Sequence, residues 1–310
     1  MCPISLIPYV CGAGASVPGC EYGPLYARDH GLAGRLQDAD IDAAWAVDPQ
    51  AHWAGPYGQV AHSALPPRGS PGRFEIVAWH CQSLSRNVAA ELRNGNRVVT
   101  IGGDHSMAAG SIAGMAEAFG PGARIGVIWI DAHADLNTFT SSLSKAIHGM
   151  PVAALLGIDK SLAPLGPEQA VTTPESVVYA GLRDIGPAER LIAAAHGIRM
   201  MSMDDLRTQG IARTLQDSVM QLASRCDHLV LSIDLDAFSL DHAPSVGTPV
   251  PGGFTPEEIV PVLAGIVRTH AIEMVEIVEF NPQLPGAEKT FDFLAQMLCD
   301  LLPARIAQKR

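Results

Sequence analysis

The chain has 310 residues, of which 47% are hydrophobic and 17% are charged, and its formal net charge is −11. This composition excludes a disordered chain and allows a large buried core, in one α/β domain or two small ones. The negative charge disfavours nucleic acid as a partner, because its phosphates would be repelled. No apolar run reaches the roughly 18 residues that a membrane span needs, so we expect no membrane partner.

The first apolar segment, Ile4–Val10, lacks a preceding basic region and runs into Gly12 and Gly14. It therefore predicts a first strand and not a signal peptide. The six cysteines form no CxxC pair and lack the density of a secreted disulfide scaffold. We expect reduced, mostly buried thiols and a cytoplasmic protein.

Eight short, non-alternating apolar runs, many of them rich in β-branched residues, predict strands buried on both faces of a parallel sheet. They are Ile4–Val10, Ala43–Val47, Arg97–Ile101, Ile125–Ile130, Val177–Leu182, Ile198–Met201, Leu229–Leu235 and Ile272–Phe280. Helical periodicity occupies most of the intervals, at Phe74–Arg93, Met107–Phe119, Pro187–Ala195, Thr208–Ser224, Pro256–Thr269 and Glu288–Leu302. This alternation predicts a three-layer α/β/α fold with a mostly parallel eight-stranded sheet. We expect residues 1–310 to form a single domain, with surface loops at Gly55–Gly72 and Leu136–Gly149.

A cluster of polar residues follows the strand predicted at Ile125–Ile130. Asp131, His133 and Asp135 occupy alternate positions, and in an extended chain such side chains point to one side. Taken alone, a DxHxD sequence is about as often a solvated turn as a metal site. Its position at the end of a strand, where open α/β sheets bind ligands, makes it a candidate metal site.

Two more stretches place similar side chains at strand ends. Asp234 and Asp236 end one run, and His105 follows a glycine pair that lets the chain turn. Each stretch alone is a weak signal, because DxD pairs commonly cap helices and single histidines commonly pack. Together, four converging carboxylates would repel one another without cations. We therefore predict two divalent ions that activate a shared water molecule, with Mn²⁺ preferred and Ni²⁺, Co²⁺, Zn²⁺ or Fe²⁺ as alternatives.

Several longer motifs make the chain resemble the arginase–agmatinase family of ureohydrolases over nearly its whole length, and arginases more than agmatinases. They are Gly-Gly-Asp-His-Ser at 102–106, Trp-Ile-Asp-Ala-His-Ala-Asp-Leu-Asn at 129–137, His-Gly-Met-Pro at 148–151, Gly-Leu-Arg-Asp at 181–184, Ser-Ile-Asp-Leu-Asp at 232–236 and Gly-Thr-Pro-Val-Pro-Gly-Gly at 247–253. The resemblance implies an arginase-like fold and oligomers of three or six chains. It also implies one ion bound by His105, Asp131, Asp135 and Asp234. The other ion would be bound by His133, Asp131, Asp234 and Asp236.

The resemblance further assigns roles around these ions. Asp135 would hydrogen-bond the activated water and accept its proton, and His148 would be a proton shuttle or general acid for the leaving amine. Glu279 would anchor the guanidinium, and Thr248 would line its pocket. The implied reaction is hydrolysis of a guanidinium group to urea and an amine, with L-arginine as the preferred substrate.

The resemblance is less complete where the far end of the substrate would bind. Polar residues remain at five matching positions, where they would contact a carboxylate or an ammonium group: Asn137, Ser142, Ser144, Asp184 and Glu189. However, Gly186 replaces an aspartate of the family pattern, Lys145-Ala146 replaces Gly-Asn, and Ala237 begins a changed segment after the last predicted ligand. Agmatine, a guanidino acid or a substituted guanide or biguanide therefore stay as alternative substrates, and a catalytically silent subunit of a hetero-oligomer is a further alternative.

Overall fold

In the computed structural model, which describes residues 3–53, 64–166 and 169–302, seven strands form one sheet. They are β1 (Ile4–Tyr9), β2 (Ala43–Trp45), β3 (Arg97–Gly102), β4 (Ile125–Ile130), β5 (Val177–Ala180), β6 (His228–Asp234) and β7 (Ile272–Val278). Their order is β2-β1-β3-β7-β6-β4-β5, and every pair of neighbours is parallel. Strands β1 and β4 are buried along their whole length, and β3, β6 and β7 are buried at all but one residue each, which explains why their sequences do not alternate.

Helices cover both faces of the sheet. They are α1 (Gly23–Asp29), α2 (Leu32–Asp38), α3 (Pro49–Trp53), α4 (Pro71–Arg93), α5 (Met107–Phe119), α6 (Pro151–Leu155), α7 (Pro187–His196), α8 (Met203–Gln209), α9 (Ile211–Ala223), α10 (Pro256–Thr269) and α11 (Ala287–Leu301). Helices α4 to α7 contribute to one apolar core, and α1, α2 and α8 to α11 contribute to the other. The predicted three-layer α/β/α fold is confirmed.

The strand count differs from the prediction by one. Ile198–Met201 is not a strand: the helix before it ends at the left-handed Gly197, and Ser202 already caps the helix after it. A single bridge between Leu182 and Ser202 is the only ladder contact near it in the described residues. Its apolar side chains are buried because they pack into the two cores and not because they pair in the sheet.

The helix predicted at Thr208–Ser224 is interrupted. Gly210 separates α8 from α9, and its φ of 88° lies in the left-handed region that glycine adopts readily. Helical periodicity continues on both sides of the break, so the pattern alone did not reveal it.

Part of the predicted Gly55–Gly72 loop, residues 55–63, lies outside the described residues, as does Cys2. The rest of that segment is irregular until Pro71, where α4 begins with Ser70 as its N-cap. The Leu136–Gly149 segment is a loop that ends in a short 3-10 turn at Ile147–Gly149. The five cysteines in the described ranges are all free thiols. No helix in these ranges has the length and apolar character to cross a bilayer.

The strand order brings the ends of four strands together. Strands β3, β7, β6 and β4 are consecutive in the sheet, and all run in the same direction. The segments that leave their carboxyl ends therefore meet at one edge of the sheet. These segments carry His105, Glu279, Asp236 and Asp131.

Candidate metal centre

His105 lies at the centre of three carboxylates. Its Nδ1 is 3.1 Å from Oδ2 of Asp131, 3.1 Å from Oδ2 of Asp135 and 3.2 Å from Oδ2 of Asp234. The imidazole is fully buried and stacks on the Trp129 indole, with ring centroids 4.0 Å apart and planes 6° apart. The stacking and burial hold the ring in one orientation.

The Nδ1 atom of His105 makes no hydrogen bond of acceptable geometry within the described residues, although it is buried. Its other nitrogen, Nε2, lies 3.0 Å from the Ser232 hydroxyl and is satisfied there. A buried ring nitrogen without a partner, surrounded by three carboxylate oxygens, fits a metal ligand whose lone pair points to a cation. The residues present therefore suit a divalent ion at this position.

A second group forms around His133. Its Nδ1 is 3.1 Å from Oδ2 of Asp236 and 3.5 Å from Oδ1 of Asp131. Asp131 thus directs one oxygen to each histidine, as a carboxylate that bridges two ions would. Ligand atoms of His105, Asp131 and Asp234 lie within 4.8 Å of one another, and so do those of Asp131, His133 and Asp236. In this arrangement Asp234 belongs to the first group only.

Backbone N–H groups hold the carboxylates in place. Oδ1 of Asp131 accepts from the N–H of His133 at 2.7 Å, and Oδ1 of Asp234 accepts from the N–H of Asp236 at 2.8 Å. Oδ1 of Asp236 accepts from the N–H of Ala132 at 3.3 Å. Each of these residues keeps its other oxygen towards the histidines. The alternate spacing in the sequence therefore provides both the ligands and the donors that orient them.

The electrostatics of the site show an excess of negative charge. Burial and the neighbouring charge of Asp131 together raise the pKa of Asp135 to about 7. Burial and adjacent carboxylates also raise the pKa values of Asp234 and Asp236. Burial would lower the pKa of His105, but the three carboxylates close to Nδ1 outweigh burial and raise it. Without cations these groups would be expected to retain protons, and bound divalent ions would displace those protons.

An ion pair lies beside the two groups. His148 Nδ1 is 2.9 Å from Oε1 of Glu279, and the same oxygen accepts from the N–H of His105 at 2.9 Å. The Nε2 of His148 is 3.1 Å from the Ser16 hydroxyl. Glu279 has a φ of 66° and donates its N–H to the Gly103 carbonyl at 2.9 Å. The unusual backbone conformation at the end of β7 turns this carboxylate into the site.

Comparisons with known proteins agree with this geometry. The model of the arginase family matches residues 3–303 of the chain. The chain belongs to the arginase family. The arginase of Bacillus caldovelox is 32% identical over 99% of this chain and 100% of its own length. The arginase of Coccidioides immitis (strain RS) is 40% identical over 84% of this chain and 82% of its own length.

Solved structures of arginases share the fold. The native structure of the Bacillus caldovelox arginase superposes with a TM-score of 0.88 at 32% identity, covering 99% of this chain and 100% of that one. A formimidoylglutamase from Bacillus subtilis is 19% identical with a TM-score of 0.69, which shows the fold alone. The family and the class of enzyme, a metal-dependent hydrolase with a binuclear centre for divalent ions, are as the motifs predicted.

Thr248 and Asp184 lie beside the His133 group of this arginase-family centre. The Thr248 hydroxyl donates to Oδ2 of Asp236 at 3.0 Å, so it contacts a predicted ligand directly. Asp184 Oδ2 is 3.8 Å from Nε2 of His133, and 69% of its side chain is exposed. Asp184 is therefore exposed to solvent and close to His133.

The predicted carboxylate-binding residues lie together on the loop that follows β4. Ser142 and Ser144 have hydroxyls 3.5 Å apart, and each accepts a backbone N–H of the loop. Asn137 accepts from the Ser141 hydroxyl at 3.0 Å. In this structure, these contacts shape the loop, and the exposed Ser144 is the most accessible of the three predicted residues.

Glu189 has a different environment from the other predicted substrate residues. It is buried, and its two oxygens accept the backbone N–H groups of Leu136 at 3.1 Å and Gly186 at 2.9 Å. Its carboxylate therefore caps the start of α7 and holds the loop in place. A substrate ammonium group would have to compete with both of these bonds.

Three residues that support the site were not among those predicted from the sequence. Trp129 donates its indole N–H to Oδ2 of Asp131 at 2.9 Å, Ser232 contacts His105, and Ser16 contacts His148. Trp129 and Ser232 each precede a predicted ligand by two positions, so the strand period places them on the same face. That spacing was a usable signal. No local pattern could have linked Ser16 to His148.

The His148–Glu279 pair predicts a pH dependence for the metal-free protein. Burial lowers the pKa of His148, but Glu279 outweighs it and raises the value to about 9. The pKa of a histidine in the unfolded chain is about 6.5. The stabilisation that the pair gives to the folded protein is therefore fully present below about pH 6.5 and is lost as the pH rises through about 9. In the presence of a chelator, we expect the free energy of unfolding of the wild type to fall over this pH range. The fall should exceed that of the His148→Asn variant by at most about 3 kcal/mol. Urea unfolding measures it, and equal pH profiles for the two proteins would contradict the assignment.

Proposed function

We propose that this arginase-family enzyme hydrolyses L-arginine to L-ornithine and urea. The observation that carries the proposal is the pair of histidine–carboxylate groups sharing Asp131, with the His148–Glu279 pair beside them. The arginases to which the chain is similar cover its length almost completely, which supports the same reaction here.

We propose two Mn²⁺ ions as the cofactor. His105, Asp131, Asp135 and Asp234 would hold one of them. His133, Asp131, Asp234 and Asp236 would hold the other. A ligand set of hard carboxylate oxygens with two imidazoles and no thiolate suits Mn²⁺. When bound, such a pair of ions lowers the pKa of a water molecule towards neutrality and so supplies a nucleophile.

Glu279 and His148 would act on the guanidinium end of the substrate. In the described residues the hydrogen bonds of Glu279 are made by Oε1, so Oε2 is available to accept a guanidinium N–H. His148 keeps its proton near neutral pH because of the adjacent carboxylate, and it would give that proton to the leaving amine nitrogen. Asp135 would take the proton that the attacking water releases, because its carboxylate lies within the centre, 3.1 Å from Nδ1 of His105.

The far end of arginine would meet the loop after β4. Asn137, Ser142 and Ser144 offer an amide and hydroxyls for the α-carboxylate, and the exposed Asp184 offers a carboxylate for the α-ammonium. Glu189 would act indirectly, because it holds the loop through Leu136. The substrate would thus be oriented by neutral donors and Asp184 at one end and by Glu279 at the other.

A second candidate substrate is a guanidino acid that lacks an α-ammonium. One observation favours it: Gly186 has no side chain, and both oxygens of Glu189 are already bonded. Loss of a charged partner for a desolvated ammonium commonly costs a few kcal/mol, which is enough to change substrate preference.

The deciding experiment is a urea-release assay of the Mn²⁺-loaded enzyme with L-arginine, agmatine, 4-guanidinobutyrate, guanidine and biguanides. The proposal expects the highest kcat/KM for L-arginine. A higher value for 4-guanidinobutyrate would select the guanidino-acid alternative. Urea from none of these compounds, with two ions bound, would favour a silent subunit of a hetero-oligomer.

We further propose a single domain, a cytoplasmic location and a homo-oligomer of three or six chains, with a hetero-oligomer as the alternative. The family match over residues 3–303 supports one domain. The free cysteines, four of them buried, suit a reducing compartment. Light scattering of the purified protein would test the oligomer, and a monomer would contradict it.

Metal removal provides a test of the centre. The four carboxylates repel one another without cations, so bound ions should stabilise the folded protein. At a free Mn²⁺ concentration of about 100 times the Kd of a site, we expect the ion in that site to raise the free energy of unfolding by about 2.7 kcal/mol. Thermal unfolding of chelator-treated protein with and without Mn²⁺ measures the effect, and metal analysis should find about two ions per chain. An unchanged Tm on adding Mn²⁺ would contradict the predicted centre.

A further inference from the structure

A row of side chains crosses the middle of the sheet beneath the metal centre. Glu276 on β7 is in register with Thr100 on β3 and with Ser232 on β6, and Ser232 is in register with Trp129 on β4. Since side chains in register across parallel strands point to the same face, these four lie side by side. Two members of the row, Trp129 and Ser232, already contact predicted ligands.

Glu276 is the exceptional member of this row. It is a fully buried carboxylate in the centre of the sheet, with no basic side chain hydrogen-bonded to it in the described residues. Its Oε1 accepts from the Ser111 hydroxyl of α5, and its Oε2 makes no well-aligned hydrogen bond within the described ranges. A buried carboxylate is costly unless its environment compensates the charge. Neither the family motifs nor the roles proposed above use this residue.

The protonation of His105 connects Glu276 to the metal centre. Because Nδ1 faces the three carboxylates as the ligand atom, the neutral imidazole carries its proton on Nε2. This N–H donates to the Ser232 hydroxyl oxygen at 3.0 Å. The hydroxyl proton of Ser232 then needs an acceptor, and the neighbouring carboxylate in the row provides one. Burial raises the pKa of Glu276, whereas the neighbouring hydroxyls of Ser111 and Ser232 lower it.

We propose that Glu276 is a positioning residue of the metal centre, whose carboxylate accepts the Ser232 hydroxyl proton and thereby holds His105 with Nε2 protonated and Nδ1 directed at the ion. The carboxylate also makes the imidazole a stronger ligand, because its negative charge acts through two hydrogen bonds on the ring. This inference rests on the proposed binuclear centre. It adds a second, buried acid on β7 that acts on the metal while Glu279 acts on the substrate.

The test is a titration of metal-free protein with Mn²⁺, followed by calorimetry, for the wild type, Glu276→Gln, Ser232→Ala and the double variant. We expect each single change to weaken one of the two binding steps by roughly 10- to 100-fold, the effect typical of a lost partner to a metal-bound histidine. The other step, assigned to the His133 group, should change little. The double variant should bind no more weakly than the single variants, because both changes break the same chain of hydrogen bonds.

Thr100→Val is the matched control, since it removes a buried hydroxyl on the other side of Glu276 without touching the chain to His105. We expect it to keep both affinities. Glu276→Asp should fall between the wild type and Glu276→Gln, since it keeps the charge and shortens the side chain. If Glu276→Gln does not fold, the Ser232→Ala variant tests the proposal by itself, because it interrupts the same chain of hydrogen bonds with little change in side-chain volume.

Folded variants whose two affinities stay within about twofold of the wild type would overturn the proposal, and so would losses that add in the double variant. A wild-type protein that binds fewer than two ions would instead contradict the proposed centre. The two kinds of failure are therefore distinguishable.

Discussion

Replacing Asp131 by Asn is expected to remove both metal ions and to lower kcat/KM at least about 1000-fold. The two oxygens of Asp131 face His105 at 3.1 Å and His133 at 3.5 Å, so one side chain serves both predicted ion positions. An amide keeps the shape but loses the charge and one acceptor oxygen. Since bound ions contribute several kcal/mol to such reactions, and each 1.36 kcal/mol is tenfold in rate, a loss of this size is expected. Metal analysis after dialysis and urea release together measure it.

The matched control is Asp104→Asn. Asp104 is also a fully buried carboxylate next to a predicted ligand, and burial together with Glu279 raises its pKa to about 6. Its oxygens accept from Gly14 and Ser106 and not from the metal-facing histidines. We expect this variant to keep two ions per chain. An Asp131→Asn protein that also kept two ions would show that Asp131 is not a shared ligand.

Replacing His148 by Asn is expected to lower kcat by about 100- to 10,000-fold while leaving two ions bound. The imidazole lies between Ser16 and Glu279, with 14% of its side chain exposed, and is not in either histidine–carboxylate group, so its loss should affect proton transfer and not metal binding. Asparagine is close in size and can still donate to Glu279, but it cannot give a proton to the leaving amine. Steady-state urea release and metal analysis on the same sample measure the two effects.

Ser16→Ala is the control for this variant, because it removes the Nε2 partner of His148 and keeps the imidazole and Glu279. We expect a much smaller loss of kcat than in His148→Asn. Added imidazole should restore part of the activity of His148→Asn if a proton donor is what is missing. Loss of bound metal in His148→Asn would show instead that the residue belongs to the metal centre.

Much of the architecture was predictable because local chemistry repeats at each strand. Non-alternating apolar runs such as Ile125–Ile130 are buried on both faces, and this is possible only in a sheet covered by helices on both sides. The alternate spacing of Asp131, His133 and Asp135 directs them to one side of the chain. Polar residues directly after buried strands belong to the ligand-binding edge of a parallel sheet. These inferences depend on neighbouring residues only, so the amino-acid order is sufficient for them.

Errors arose where two local patterns were compatible with one segment. The apolar residues of Ile198–Met201 fit a strand. However, the left-handed Gly197 before this segment and the helix cap Ser202 after it leave too few residues to pair with a neighbouring strand. Periodicity also ran through Gly210, which interrupts the helix. Whether a short apolar segment pairs or packs depends on the elements above it, and those are distant in the chain.

The sequence by itself determined the layered α/β fold, and it predicted the two histidines and four aspartates from residue type and distance from a strand end. The resemblance to the family added Glu279. Only the tertiary structure decided the strand order that brings β3, β7, β6 and β4 together. It also decided that Asp131 faces both His105 and His133, that His148 pairs with Glu279, and that the Glu189 carboxylate accepts backbone N–H groups. The row from Glu276 through Ser232 to His105 exists only by strand register. Contacts between distant segments depend on which strands pair and in what register, and the packing of the whole chain settles both.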